Sequence, residues 1–206
     1  MGNDRKPASR QVRIDHRQVR VLAHPLRTRL LGALRVKGPA TATALAELLG
    51  TNTGATSYHL RQLAEVGLVV EDPDLGTGRQ RFWRAAHDVT NWENTDFDDD
   101  PDARAAIEWI EGDQVRNFVE HAERWFTVRH EWSPAWREAF GMGDIFMTIP
   151  SARLAALKAE VEQLLERYRD EADPGELGAE QVQVYFAALP MLADLRLTRP
   201  PSQEER

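Results

Sequence analysis

Residues 41–67 read TATALAELLGTNTGATSYHLRQLAEVG, and this stretch decides the fold. Two helical patterns meet here across one glycine. In the first, over residues 41–49, Leu45, Leu48 and Leu49 point inward and Gly50 supplies a left-handed stop. In the second, Thr51 or Asn52 caps a helix running to about residue 66, with Leu60 and Leu63 inward and Gly67 closing it. The order of apolar face and glycine stop is thus written twice in a row.

Upstream, Asp15 can cap a short helix over residues 16–23. Pro25 suits the first turn of a further helix, where its missing N–H costs little. That helix, over residues 26–36, places Leu26, Leu30, Leu31 and Leu34 on one face and turns Arg27, Arg29 and Arg35 elsewhere; Lys37-Gly38-Pro39 ends it. Downstream, residues 68–71 read as a strand. Asp72-Pro73-Asp74-Leu75-Gly76-Thr77-Gly78 is turn chemistry, and residues 79–84 read as the returning strand. Short helices followed by a hairpin predict a winged helix-turn-helix over residues 1–87.

Composition narrows the function. The chain has 206 residues, enough for one or two domains, with 42% apolar and 29% charged side chains. It has no apolar run of membrane-spanning length and no secretory stretch near residue 1, so a cytoplasmic location without membrane contact is expected. Cysteine is absent, which excludes disulfides, thiolate metal sites and cysteine nucleophiles. Residues 1–87 hold 14 Lys/Arg against 7 Asp/Glu, whereas residues 88–206 hold 12 against 26. A basic first part joined to an acidic remainder points to nucleic acid. Residues 1–13 read as a loose basic tail; the segment RQVR at 10–13 and 17–20 is too little for a repeat.

Residues 88–102 carry seven acidic residues and no Lys or Arg. DFDDDPD lacks the mid-loop Gly and terminal Glu of a calcium loop, so a solvated acidic linker is expected. Residues 103–129 read as a long dimerisation helix with Val115, Phe118, Ala122 and Trp125 as its stripe. Glu108, Glu111 and Gly112 interrupt that stripe, which predicts a bend or break near Gly112. A short helix over residues 133–140 follows. Alternation predicts strands over residues 143–149 and 182–186, on either side of an amphipathic helix over residues 151–168 capped by Ser151. Such a strand–helix–strand unit permits a parallel pair with a right-handed crossover. The expected class is therefore α+β and mostly helical. Its parts are the winged helix-turn-helix (1–87), the linker (88–102), and the long helix with a small mixed α/β domain (103–198).

The second helix of the opening stretch has the composition of a groove reader. It offers Asn52, Thr53, Thr56, Ser57, Tyr58, His59, Arg61 and Gln62, with no carboxylate before Glu65 to repel phosphate. Gln62 can pair with adenine, Arg61 with guanine or phosphate, and hydroxyls with either. Thr77, Arg79 and Arg81 of the wing are candidates for phosphate or minor-groove contact. His24 beside Pro25 reads as a capping or packing residue.

The segments Leu22-Ala23-His24-Pro25-Leu26-Arg27, Leu45-Ala46-Glu47-Leu48-Leu49-Gly50, Ser57-Tyr58-His59-Leu60-Arg61-Gln62-Leu63 and Gly67-Leu68-Val69, with the wing Gly76-Thr77-Gly78-Arg79-Gln80-Arg81, together resemble the ArsR-like winged-helix repressors. Ser57 and His59 match the Ser-x-His-Leu of that family's recognition helix, and Thr56 stands where a branched apolar residue is more usual. The resemblance covers about a third of the chain. The rest looks like the longer, non-metal-sensing regulators of the group, which append a further domain. What the resemblance implies is a homodimeric repressor on a double-stranded operator.

Metal sensing is the family alternative. Glu120, His121, His130 and Glu131 lie on the long helix or at its end, but histidines nine residues apart are separated by about 13 Å of helix. One chain cannot close that site, and no metal or cofactor is expected. The later half also holds Trp92, Trp109, Trp125, Trp132 and Trp136. These suit core and dimer interface better than a pocket for a small-molecule effector, which stays open as an alternative. No catalytic constellation stands out, so an enzyme is not expected. The expected function is a sequence-specific transcriptional regulator. Its rivals are a winged-helix module that binds protein rather than DNA, and a metal-responsive repressor.

Overall fold

Helix starts are written into single side chains. In the computed structural model, which describes residues 10–75 and 80–190, the Asp15 carboxylate accepts the N–H groups of Arg17 and Gln18. The Gln18 side chain returns the bond to Asp15 N–H, closing a capping box on α1 (His16–Leu22). His24 caps α2 (Pro25–Lys37): its Nδ1 accepts the Leu26 N–H at 3.1 Å. Thr41 caps α3 (Ala42–Leu49), and Asn52 caps α4 (Thr53–Glu65).

Between α3 and α4 the chain must reverse its local twist. Gly50 does so at φ 64°, a conformation in which a Cβ is strained, and this lets the Thr51 N–H reach back to the Ala46 carbonyl at 2.9 Å. Gly67, at φ 71°, ends α4 in the same way and delivers the chain to the sheet.

β3 (Val69–Asp72) and β4 (Phe82–Ala85) form the expected hairpin, with β4 beginning later than the alternation suggested. A strand not foreseen, β2 (Ala40–Thr41), pairs with the other edge of β4, giving the antiparallel order β2-β4-β3. Two residues leave no periodicity to read. Trp83, on β4, turns into the core.

Two further expectations are corrected. The chain near residue 10 is not a loose tail throughout: β1 (Gln11–Arg13) pairs in parallel with β5 (Val89–Asn91). Residues 88–102 are accordingly no solvated linker. They comprise β5, a 3-10 turn at Asn94–Phe97 and the cap of α5 (Pro101–Val128), and Phe97 is 1% exposed. Three ion pairs close this seam: Arg10 with Asp88, Arg13 with Asp96, and Arg20 with Asp100. The acidic run therefore complements the arginines of β1 and α1.

α5 runs unbroken through Gly112. Its first half is core: Ala103, Ala106, Ile107 and Ile110 join Val19 and Leu22 of α1 in one buried cluster with Leu30, Leu31, Leu34, Leu45, Leu60 and Leu63. Its second half exposes Val115, Val119 and Phe126. α6 (Pro134–Ala139) and α7 (Ser151–Glu171) follow; Ser151 is the first residue of α7 rather than its cap, and no side-chain bond caps that helix.

The chain divides into two units, Met1–Ala172 and Asp173–Arg206. In the second, Gly175 N–H donates to Asp173 Oδ1 at 2.8 Å, and no helix or strand forms among its described residues. The strands expected over 143–149 and 182–186 are absent from the structure. Ile145 and Phe146, adjacent and so on opposite faces of any strand, are both exposed. Without a neighbouring edge, alternation alone does not make a ladder. The class is α+β and mostly helical, and among the described residues both sheets lie within the first 91 residues.

Candidate nucleic-acid interface

α4 has one face in the core and one in solvent, and that division sorts the candidate residues. Thr56, Leu60 and Leu63 are buried, at the i, i+4, i+7 spacing of one helical stripe. Thr53, Gly54, Tyr58 and Arg61 are exposed, and Ser57 is partly so. Thr56 is thus corrected as a DNA contact. Its side chain is 0% exposed and its hydroxyl has no partner, so it belongs to the same packing stripe as the leucines.

His59 also faces inward. Its ring lies 4.3 Å from that of His24 at the start of α2, and its Nδ1 is buried without a partner. Burial pulls both imidazoles below their ordinary pKa, and Arg27 beside them adds to the effect. The pair locks α4 to α2. Arg27, not among the sequence candidates, is half-buried; burial lowers its pKa and the nearby Tyr58 opposes that shift. The signal was present in the run His24-Pro25-Leu26-Arg27, which a capping reading did not exhaust.

Asn52 spends its Oδ1 on the Ala55 N–H at 2.8 Å, which leaves its NH₂ to donate outward. Gln62 donates to Glu65 at 3.1 Å. The outward surface of α4 therefore carries Thr53, Ser57, Tyr58 and Arg61, with Asn52 at its tip and no carboxylate before Glu65. Arg61 has no ion-pair partner among the described residues. On the wing, Arg81 is exposed and pairs with Glu71 at 2.8 Å; Thr77 and Arg79 lie outside the described residues.

The basic character of residues 1–87 is partly spent inside the molecule. Arg10, Arg13 and Arg20 meet the acidic run, and Arg84 meets Asp72 at 3.5 Å. Arg29 closes the end of α3 by donating to the Leu49 carbonyl at 3.0 Å. Arg35 donates to the His87 carbonyl and to Thr90, and burial brings its guanidinium down to about 10. Asp100 caps α5, takes Arg20 and His16 as further partners, and is held well below the usual carboxylate range, chiefly by Arg20. Among the described residues no three His, Asp or Glu side chains converge as a metal site, and no helix is long and apolar enough to cross a membrane.

This arrangement is a winged helix-turn-helix, and residues 22–72 match the family model described as a helix-turn-helix domain. Among solved structures, the chain is similar to a homodimeric winged helix-turn-helix DNA-binding domain from Mycobacterium bovis, a possible ArsR-family transcriptional regulator. The two are 28% identical at a TM-score of 0.31, covering 34% of this chain and 61% of that one. The chain thus spans about three-fifths of the length of that structure. A possible transcriptional regulator for arsenical resistance is 28% identical over 50% of this chain and 94% of its own, at a TM-score of 0.30. A transcriptional regulator from Thermotoga maritima is 16% identical over 73% and 85%, at 0.29. No curated protein matches the chain.

Proposed function

We propose that this chain is a sequence-specific DNA-binding transcriptional regulator, acting as a homodimeric repressor of the ArsR-like type. One observation carries the reading: the solvent face of α4 presents Thr53, Ser57, Tyr58 and Arg61 and no carboxylate before Glu65, while the opposite face anchors it in the core. Hydroxyls and a guanidinium at the exposed side of a helix that the fold projects outward are what base edges and phosphates take up. Arg61 and Arg81 supply phosphate contact, and Ser57 and Asn52 supply base contact.

The dimer rests on α5. Val115, Val119 and Phe126 lie exposed on its second half, at 63%, 45% and 45%, with Phe118 and Ala122 between them. This is an apolar seam at the period of a helix pair. A two-fold dimer places two copies of α4 on a near-palindrome whose halves lie ~10 bp or a multiple apart.

The test is fluorescence anisotropy of the full chain on its own upstream DNA and on random DNA, at several salt concentrations. Specific binding exceeds random binding by at least about 10³-fold if the reading holds. Equal affinity for both DNAs, or none for either, refutes it and gives the winged domain to a protein partner.

A further inference from the structure

At its distal end α5 folds back on itself. The helix stops at Val128, a 3-10 turn spans Arg129–Glu131, and α6 begins at Pro134 with the Ser133 hydroxyl accepting the Trp136 N–H at 3.3 Å. The reversal brings Trp132 and Phe140 against Trp125, with ring centroids 5.7 and 5.3 Å apart. Beside these rings opens a cavity of about 290 Å³ lined by Trp125, Arg129, His130, Arg137 and Phe140.

Two properties of this lining are not explained by packing. The first is charge. Two of the five lining side chains are arginines, within a stretch of chain where 26 acidic residues outnumber 12 basic ones. Among the described residues neither Arg129 nor Arg137 has a carboxylate partner. Arg129 lies over the Phe126 ring at 5.6 Å, and His130 reaches only its neighbour Glu131, at 3.8 Å. Cations gathered around one opening repel one another and favour an anion placed among them. The second is the Trp125 indole N–H, which is buried with no acceptor. Such a group is costly to leave unpaired, and the ring that carries it lines the cavity.

We propose that this cavity is a binding site for a small aromatic carboxylate. The ring packs on the faces of Trp125 and Phe140, and the carboxylate is met by Arg129 and Arg137. The volume stands at the lower end of small-molecule sites, which suits one planar ring with a short acidic arm. That such a ligand regulates DNA binding rests on the reading above; that it binds does not.

The experiment uses the full chain, labelled with ¹⁵N, without DNA. Benzoate is titrated while the indole N–H resonances are followed, the Trp125 signal being assigned from its loss in Trp125→Phe. Benzyl alcohol and acetate, which keep only the ring or only the charge, are run alongside. The expected result is a saturable shift of the Trp125 resonance with a millimolar or tighter dissociation constant for benzoate. Binding is at least tenfold weaker for both controls, and at least tenfold weaker for benzoate in Arg129→Gln and Arg137→Gln with the remaining spectrum unchanged. Absence of saturation, equal response to benzyl alcohol, or undiminished binding in both arginine variants overturns the proposal. Failure here leaves the DNA reading standing, and failure of the DNA assay leaves benzoate binding standing.

Discussion

Replacing Thr56 by valine should stabilise this protein. The side chain is fully enclosed on the stripe that α4 shares with Leu60 and Leu63, and its hydroxyl has no hydrogen-bond partner, not even a carbonyl in the preceding turn. Burying an unpaired hydroxyl costs about 1–3 kcal/mol on the scale of protein substitutions. Valine has nearly the same shape and a similar helix propensity, so the swap removes the penalty without opening a cavity. The expected gain is roughly 1–2 kcal/mol, or a rise in Tm of roughly 2–8 °C for a chain of this size. Thr56→Ser is the counterpart. It keeps the unpaired hydroxyl and deletes a buried methyl, and should lose roughly 1 kcal/mol. Urea unfolding at neutral pH reads both changes, and operator affinity measured beside them should stay within twofold, because Thr56 faces away from the groove. A destabilised valine variant, or one whose operator affinity falls tenfold with its stability intact, would refute the assignment of Thr56 to the core.

Acidification should weaken the fold through His24 and His59. Both have pKa values lowered by burial, so as pH falls through the ordinary histidine range the unfolded chain takes up protons that the native pair resists, and stability declines. The urea midpoint should be lower at pH 5.5 than at pH 7.5, and the drop should shrink in His59→Gln; a wild-type midpoint unchanged between the two pH values would refute it. Arg61→Ala should weaken operator and random DNA alike and reduce the salt slope by about one unit, whereas Ser57→Ala should cost about 1–3 kcal/mol on the operator alone. Val119→Glu places a carboxylate on the exposed seam of α5 and should yield a monomer at micromolar concentration in sedimentation, with its secondary structure retained. Added zinc or chelator should leave DNA affinity unchanged; zinc-dependent release that vanishes in His121→Ala would show otherwise.

Much of the winged domain is legible because its information is local. Caps at Asp15 and Asn52, the glycine stops at Gly50 and Gly67, and the leucine stripes each specify a helix from within a few residues. Leu48 shows the limit: it matches the stripe of α3 yet is 54% exposed, and Ala46 is buried instead. A helix too short to bury a wide face keeps only the residues that meet a neighbour.

Among the candidate site residues, Tyr58 and Arg61 are exposed and Ser57 partly so, while Thr56 and His59 turn inward. Thr56 was readable in principle, since its spacing to Leu60 and Leu63 outweighs its polarity. His59 was not, because its partner His24 is 35 residues away and only the packing of α2 on α4 brings the rings together.

By itself, then, the sequence determined the helices of the winged domain, the caps at Asp15 and Asn52, the hairpin and the polar face of α4. All of these follow from side-chain spacing and backbone preference within one turn or two. Tertiary structure alone decided the pairing of β1 with β5 and of β2 with β4, and the conversion of an acidic run into a structured seam against Arg13 and Arg20. It also decided the unbroken course of α5 through Gly112 and the cavity where α5 meets α6. Each of these joins groups distant in sequence or sets local propensity against packing. A two-residue strand or an isolated glycine carries too little intrinsic preference to decide its own conformation, and the neighbours it meets in the folded chain decide for it.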